Sequence, residues 1–342
     1  MTTILLVKTS SLGDVVHNLP VVADIRRAMP GAIVDWVVEE SFAAIPGLSR
    51  HGLRRVIPCA LRRWRRGLLG AAAWHEIGAL RRILRAGAYD VVIDTQGLLK
   101  SALLARLVPG VRHGLDWRSS REPLAWAYDH VHTVPWGRHA VVRNRELAAL
   151  ALNYTAADPL DYGIAVPPFP PAAHEDDSPP DPDRPWLGPA QRHAWLPPEP
   201  FAVLLHASSA EAKTWPFPRW KKLIEHLASR GMACVLPWGN AAEGTRSEAL
   251  AAGLAAARVP PRLGLRTMAG LLGRAALVVG VDTGLTHLAA ALGRPTVGLY
   301  VSTNPEATGV LAGPWACNVG DGRGAPSPAA VISAIRRVGV VV

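Results

Sequence analysis

The stretch 277–295, LVVGVDTGLTHLAAALGRP, constrains the fold most, because it joins an all-apolar strand to a helix through a short polar turn. Leu277, Val278, Val279 and Val281 make the apolar run of a strand covered on both faces. Asp282 is a preferred N-cap residue, Thr283 and Gly284 open the helix, and Leu285, Leu288, Ala289 and Leu292 recur at helical spacing. Gly293, followed by Pro295, ends it. The first-turn amides of Thr283, Gly284 and Leu285 lack partners inside the helix and sit at the positive end of its dipole, so a diphosphate fits there. Gly284 lets it come close, having no side chain to project toward the ligand. The same residues equally serve a plain capped helix, so partners elsewhere in the chain must decide.

Strand–turn–helix order recurs along the chain. Ile4–Val7 reads as a strand, KTSSLGD (8–14) as its loop, and Val15, Val16, Leu19, Val22 and Ile25 as the apolar face of a helix ended by Pro30 and Gly31. Ile33–Val38, Val56 with Ile57, and Tyr89–Ile93 read as further strands, the last followed by DTQGLLKSALLARL. After residue 200 the alternation restarts with strands at Phe201–His206, Met232–Leu236 and Pro295–Tyr300, and helices at Phe217–Ser229 and Pro328–Val338. This is the pattern of right-handed βαβ units in parallel sheets. With 342 residues, two α/β, Rossmann-like domains are expected, with ligands in a cleft at the carboxyl ends of the strands. The expected division is an N-terminal domain at 1–160, a linker at 161–200, a second domain at 201–325 and a C-terminal helix at 326–342.

The linker is set by composition: PPFPPAAHEDDSPPDPDRPWLGP has no periodicity and reads as a semi-extended spacer. His174, Glu175, Asp176 and Asp177 within it are taken as solvated linker rather than as a metal site. Cys59, Cys234 and Cys317 are widely spaced and odd in number, which fits a reducing compartment without disulfides or thiolate metal sites. No apolar run reaches the ~18 to 20 residues of a membrane span, and MTTILLVKTSSLGD lacks the features of a signal peptide. A cytoplasmic protein is expected.

A formal net charge of +10 calls for an anionic partner. Arginine is concentrated in 54–85, where Leu61, Trp64, Leu68, Ile77, Leu80 and Leu84 form an apolar stripe flanked by Arg62, Arg63, Arg65, Arg66, Arg81, Arg82 and Arg85. Such a basic amphipathic stretch suits anionic lipid heads, or simply a solvated helix face. A nucleic-acid binder would spread its basic residues and aromatics over a whole domain, so nucleic acid is not expected.

Three loops of the second half carry candidate donor chemistry. HASSAEAKTWP supplies the hydroxyls of Ser208 and Ser209 and the charge of Lys213, WGNAAE supplies Glu243 to accept from ribose hydroxyls, and DTGLTH supplies the amide turn. Together they describe a nucleotide-diphosphate pocket without a Walker or GxGxxG pattern. In the first half, Gly13 permits a tight turn and Asp14 opens a helix after the first strand, where a general base would act.

KTSSLGDVVHNLP, RRWRR, HGLDWRSSREPLA, VVRNREL, HASSAEAKTWP and VGVDTGLTHL in combination resemble the bacterial lipopolysaccharide heptosyltransferases, over nearly the whole chain. Within that family the likeness is to enzymes adding the first inner-core heptose. The resemblance implies a GT-B fold, ADP-L-glycero-β-D-manno-heptose as donor, a Kdo residue of Kdo2-lipid A as acceptor, and inversion to an α linkage. It makes Asp14 the catalytic base and assigns the donor phosphates to Ser208, Ser209 and Lys213, the ribose to Glu243, and the diphosphate turn to Asp282, Thr283 and Gly284. Leu285 and His287 continue that turn as donor-binding residues. Ser10, Ser11, Gly13, Arg62, Arg63 and Arg121 fall to the acceptor. It further implies that the last helix packs back toward the first domain, that no cofactor or metal is needed, and that the protein sits peripherally on the cytoplasmic face of the inner membrane. A transferase adding a later core heptose or using another nucleotide sugar is the nearest alternative.

Overall fold

The computed structural model describes residues 1–66, 70–156, 158–171, 176–178 and 193–341. The chain forms two compact units, Met1–Ile164 and Ala165–Val342.

The first unit carries a six-stranded sheet of β1 (Thr3–Val7), β2 (Ile33–Glu39), β3 (Arg55–Cys59), β4 (Val91–Asp94), β5 (Val111–Leu115) and β6 (His130–His132), in the order β3-β2-β1-β4-β5-β6. Every pairing is parallel. The helices are α1 (Leu12–Val16), α2 (Leu19–Ala28), α3 (Leu61–Arg66), α4 (Ala71–Ala86), α5 (Leu99–Arg106) and α6 (Ala140–Leu152). The single helix expected after β1 is two, because the chain breaks at His17 and Asn18 before Pro20 starts the second. The basic stretch likewise splits into α3 and α4, and Leu68 lies outside the described residues. Trp64, Leu80 and Leu84 are buried, whereas Arg65, Arg66, Arg81, Arg82 and Arg85 are exposed. Some of the arginine in that region is structural: Arg54 and Arg55 both donate to the buried Asp35, which also accepts from Tyr89 at 2.6 Å. Burial pulls the Asp35 carboxyl up, but those hydrogen bonds outweigh it and hold it below the usual range.

The second unit repeats the plan with β7 (Phe201–Leu205), β8 (Ala233–Val235), β9 (Ala257–Arg258), β10 (Leu277–Val281), β11 (Thr296–Leu299) and β12 (Ala316–Val319), ordered β12-β11-β10-β7-β8-β9. These pairings too are parallel. β7 and β10 are buried at all five residues, the signature of strands sandwiched between helix layers. Counting strands from the start of each unit, both sheets have the doubly wound order 3-2-1-4-5-6. The strand order reverses between β1 and β4 in one unit and between β7 and β10 in the other, which is where loops at the carboxyl ends part and leave room for a ligand.

The last helix, Pro328–Arg337, is built into the core of the second unit: Val331, Ala334 and Ile335 are fully buried in one cluster with Leu223, Leu227 and Val297. Its apolar face is spent there. The Pro-rich segment is not a bare spacer in its described part. Phe169 is buried edge-on to His193, Val166 packs against Gly273, and Arg274 donates to the Phe169 carbonyl at 2.8 Å. Nor are Asp176 and Asp177 simply solvated. Asp177 accepts from the amides of Arg266 and Thr267, and Asp176 accepts from the Thr267 hydroxyl, so the pair caps the helix Leu265–Arg274. His174 and Glu175 lie outside the described residues. Among those described, no helix is long and apolar enough to cross a membrane.

Candidate active site

In the first unit the loop after β1 lies beside the loop after β4, as the strand order requires. Lys8 and Thr9 leave β1 buried, and the amides of Thr9 and Ser10 donate to Gln96 Oε1 at 3.1 and 3.0 Å. Ser11 caps α1, and both its amide (2.7 Å) and its hydroxyl (2.9 Å) donate to Asp14 Oδ2. Asp14 is therefore the first-turn acid of a capping box rather than the cap, and it stays partly exposed. Gly13 lies inside that helix turn.

Cations surround this loop. Lys100 donates to Ser10 Oγ at 2.5 Å. Lys8 Nζ donates to the Thr95 carbonyl at 2.7 Å and to Asn144. Burial pushes the Lys8 ammonium down from its usual range; Asp14 and Asp94 oppose this, while Arg143 and Arg121 add to it. That coupling ties Arg121 and Arg143 to the β1 loop electrostatically. Arg143 also lies 4.2 Å over the half-exposed Trp136 ring.

The expected acceptor arginines separate. Arg63 is tied up by Glu40 at 3.1 Å and by Glu76 at 2.8 Å, and its hydrogen bond to Glu76, helped by one from Trp64, holds that carboxyl down at about 2. The Arg62 guanidinium is exposed, 5.0 Å over the Phe42 ring.

In the second unit the loops after β7, β10 and β11 converge on Asp282. The N-cap of the helix Gly284–Ala291 is Thr283, in extended conformation, and not Asp282. Asp282 is nearly buried and accepts from Lys213 Nζ at 2.7 Å and from Thr303 Oγ1 at 2.9 Å, with His287 Nε2 at 3.5 Å. Burial alone would raise its carboxyl, yet hydrogen bonds from His287, Lys213 and Thr303 keep it well below the usual range. A cap needs only an acceptor, whereas a carboxylate this buried needs a cation, and Lys213 supplies it. Ser208 Oγ donates to the Asp282 carbonyl at 3.2 Å, so the first hydroxyl joins this cluster; Ser209 is exposed beside it. The first intrahelical bonds run from Thr286 and His287 to the Thr283 carbonyl, leaving the amides of Gly284 and Leu285 without a partner inside the helix. Thr286 itself is buried and donates to the Val281 carbonyl at 2.7 Å; a side chain at Gly280 would strike its hydroxyl.

Glu243 sits after β8 in the first turn of the helix Ala241–Ala251, where its carboxylate accepts from the Gly239 amide and the Asn240 side chain, both at 2.8 Å. It is oriented and partly exposed, with lone pairs left for further donors.

Lys8, Gln96, Lys100, Arg143 and Thr303 went unassigned in the sequence. Lys8, Gln96 and Thr303 lie in loops that follow strands, while Lys100 and Arg143 stand in the first turns of α5 and α6, and only the strand order reveals that these segments are neighbours.

Residues 77–326 match Glycosyltransferase family 9 (heptosyltransferase). The chain is 46% identical over 309 residues to lipopolysaccharide heptosyltransferase 1 of Pseudomonas aeruginosa, covering 90% of this chain and 80% of that protein. It is 43% identical over 313 residues to lipopolysaccharide heptosyltransferase 1 of Escherichia coli K12, with 90% of each covered. Its fold is similar to that of the E. coli heptosyltransferase WaaC solved with ADP-2-deoxy-2-fluoro heptose, at a TM-score of 0.80 and 39% identity over 98% of this chain and 99% of that one. The two Rossmann-like units are those of a GT-B glycosyltransferase, and the chain belongs to glycosyltransferase family 9, the heptosyltransferases.

Proposed function

We propose that this protein transfers L-glycero-D-manno-heptose from ADP-heptose to a Kdo residue of Kdo2-lipid A, with inversion at the anomeric carbon, while resting on the cytoplasmic face of the inner membrane. The carrying observation is the Lys213–Asp282–Thr303 cluster behind the open amides of Gly284 and Leu285. It joins a fixed cation to a helix N-terminus, the pair of features a departing diphosphate requires. Glu243 takes the ribose hydroxyls, and His287 steadies Asp282 from the helix.

The step is a single displacement. Asp14 takes the proton of a Kdo hydroxyl as that oxygen bonds to the heptose anomeric carbon. The bond from that carbon to the diphosphate oxygen breaks, and ADP leaves with its new charge on Lys213 and the two amides. Lys8, Arg121 and Arg143 give the Asp14 loop a positive field, which suits an acceptor rich in carboxylates and phosphates. Ser10, Ser11 and Gly13 shape the loop against which it lies.

The test is transfer itself, followed by mass and anomeric configuration of the product, together with thermal shifts for ADP, UDP and GDP. ADP should stabilise the protein most, because ligand bound to the folded state raises its stability by mass action. A UDP preference would overturn the donor assignment.

The acceptor arginines give a graded expectation. Arg121→Ala should raise the acceptor KM roughly tenfold and leave ADP affinity alone, as loss of one charge-assisted contact does. Arg62→Ala should raise it less. Arg63→Ala should act chiefly on stability, since Glu40 and Glu76 already hold that charge. Steady-state kinetics with acceptor varied at saturating donor, alongside a melting curve, separates the three. Equal KM effects at 63 and 121 would return Arg63 to the acceptor site.

A further inference from the structure

Helices α3, α4 and α5 line a half-open cavity of about 620 Å³ that the transfer reaction leaves unused. Its walls are Leu61 and Trp64 from α3, Ile77 and Leu80 from α4, and Leu103 and Leu104 from α5, with Leu107 just beyond. It exists because α5 is apolar on more than its core face: Leu104 is buried against the sheet, while Leu99 and Leu103 are about half exposed. Leaving such residues uncovered costs stability unless something apolar covers them in use.

The remaining lining residues are Arg62, Arg65 and Lys100, all cations. A neutral apolar ligand would have no need of them, but an anionic amphiphile would put its chain among the leucines and its head on the charges. The volume is that of a site for one ligand. Lys100 also ties the cavity to the chemistry, since its ammonium donates to Ser10, the neighbour of the Ser11 that holds Asp14.

We infer that this cavity receives one acyl chain of the glycolipid acceptor, with Arg62, Arg65 and Lys100 on its anionic head, so that the chain is held while its sugar reaches the Asp14 loop. The inference rests on the acceptor reading given above. A chain in this cavity lets the enzyme work on a lipid lifted partly from the bilayer, and makes acylated acceptor a better binder than its water-soluble core.

The experiment compares fully acylated Kdo2-lipid A in detergent with the same molecule stripped of its acyl chains, for wild type and Leu103→Trp. The half-exposed position tolerates the larger side chain, whose indole would project into the cavity and obstruct the path of an acyl chain. Leu103→Trp should raise KM for the acylated acceptor roughly tenfold, with loss of several buried methylenes, and leave the deacylated KM and kcat within about twofold. Equal effects on both acceptors, or none on either, overturn the inference. A second measurement does not depend on transfer: lysophosphatidylglycerol with a brominated acyl chain should quench tryptophan fluorescence saturably, the saturable part being lost in Trp64→Phe. Acylated Kdo2-lipid A should relieve the quenching and the deacylated form should not. Failure of the acylated form to compete assigns the cavity to bulk phospholipid and overturns the inference. Absence of quenching overturns it too, while leaving the transferase reading intact. Quenching and competition without any heptose transfer would instead strike at the transferase reading alone.

Discussion

Replacing Asp14 with Asn should lower kcat by about 10²-fold or more, the usual scale for a general base, with ADP affinity and melting temperature almost unchanged. The reasoning starts from what the carboxylate does in the fold. One oxygen accepts from both the amide and the hydroxyl of Ser11 and so closes the first turn of α1. The asparagine carbonyl can accept the same two hydrogen bonds, so the capping box is weakened rather than lost. What the amide cannot do is take a proton. Donor affinity should be untouched, because the residues assigned to ADP all belong to the second unit. A rate kept within about tenfold, against the loss expected of a missing base, would reduce Asp14 to a structural first-turn acid.

The main alternation was readable because the strands beside the switch points are buried on both faces and so are written as unbroken apolar runs. Ile4–Val7 and Leu277–Val281 are of this kind. The helix Phe217–Ser229 was readable to the residue, having Pro216 before it, Gly231 after it and one apolar face. The outer strands were not. β5 carries Arg112, His113 and Gly114, β6 is three residues long and β9 is two. Strands this short, or this polar, carry no pattern that sets them apart from loops. Loops bearing Asp14, Lys213 and Asp282 stood out because each follows such a strand or opens a helix. Their pairings did not, since Lys213 meets Asp282 only after β10 is laid beside β7. For the same reason Asp282 looked like a cap. Residue preference favours Asp there, and a lysine 69 positions away decides otherwise.

That ion pair supports the second large effect. Lys213→Ala should cut the transfer rate by about 10²-fold or more, the scale of losing one group that stabilises charge in the transition state. It should also cost about 1 to 2 kcal/mol of stability: truncating one partner of a fully buried pair costs more, but the Lys213 side chain keeps 30% of its exposure and solvent makes up part of the loss. Activity could then fall merely because Asp282, left with Thr303 and His287, moves the turn. Asp282→Asn in the same chain separates the two causes, since the neutral amide can still accept from Thr303 and no longer needs a cation. The double variant should recover most of the stability and none of the rate. Its acid unfolding should differ as well. A carboxyl held below its ordinary 3.8 in the folded state contributes stability above that pH and loses it as pH falls through the lower folded value. Wild type should therefore show an acid-side decline below about pH 4 that flattens in Asp282→Asn. If the double variant regained the transfer rate along with its stability, Lys213 would be there to neutralise Asp282, and the charge of departing ADP would have to rest on the Gly284 and Leu285 amides alone.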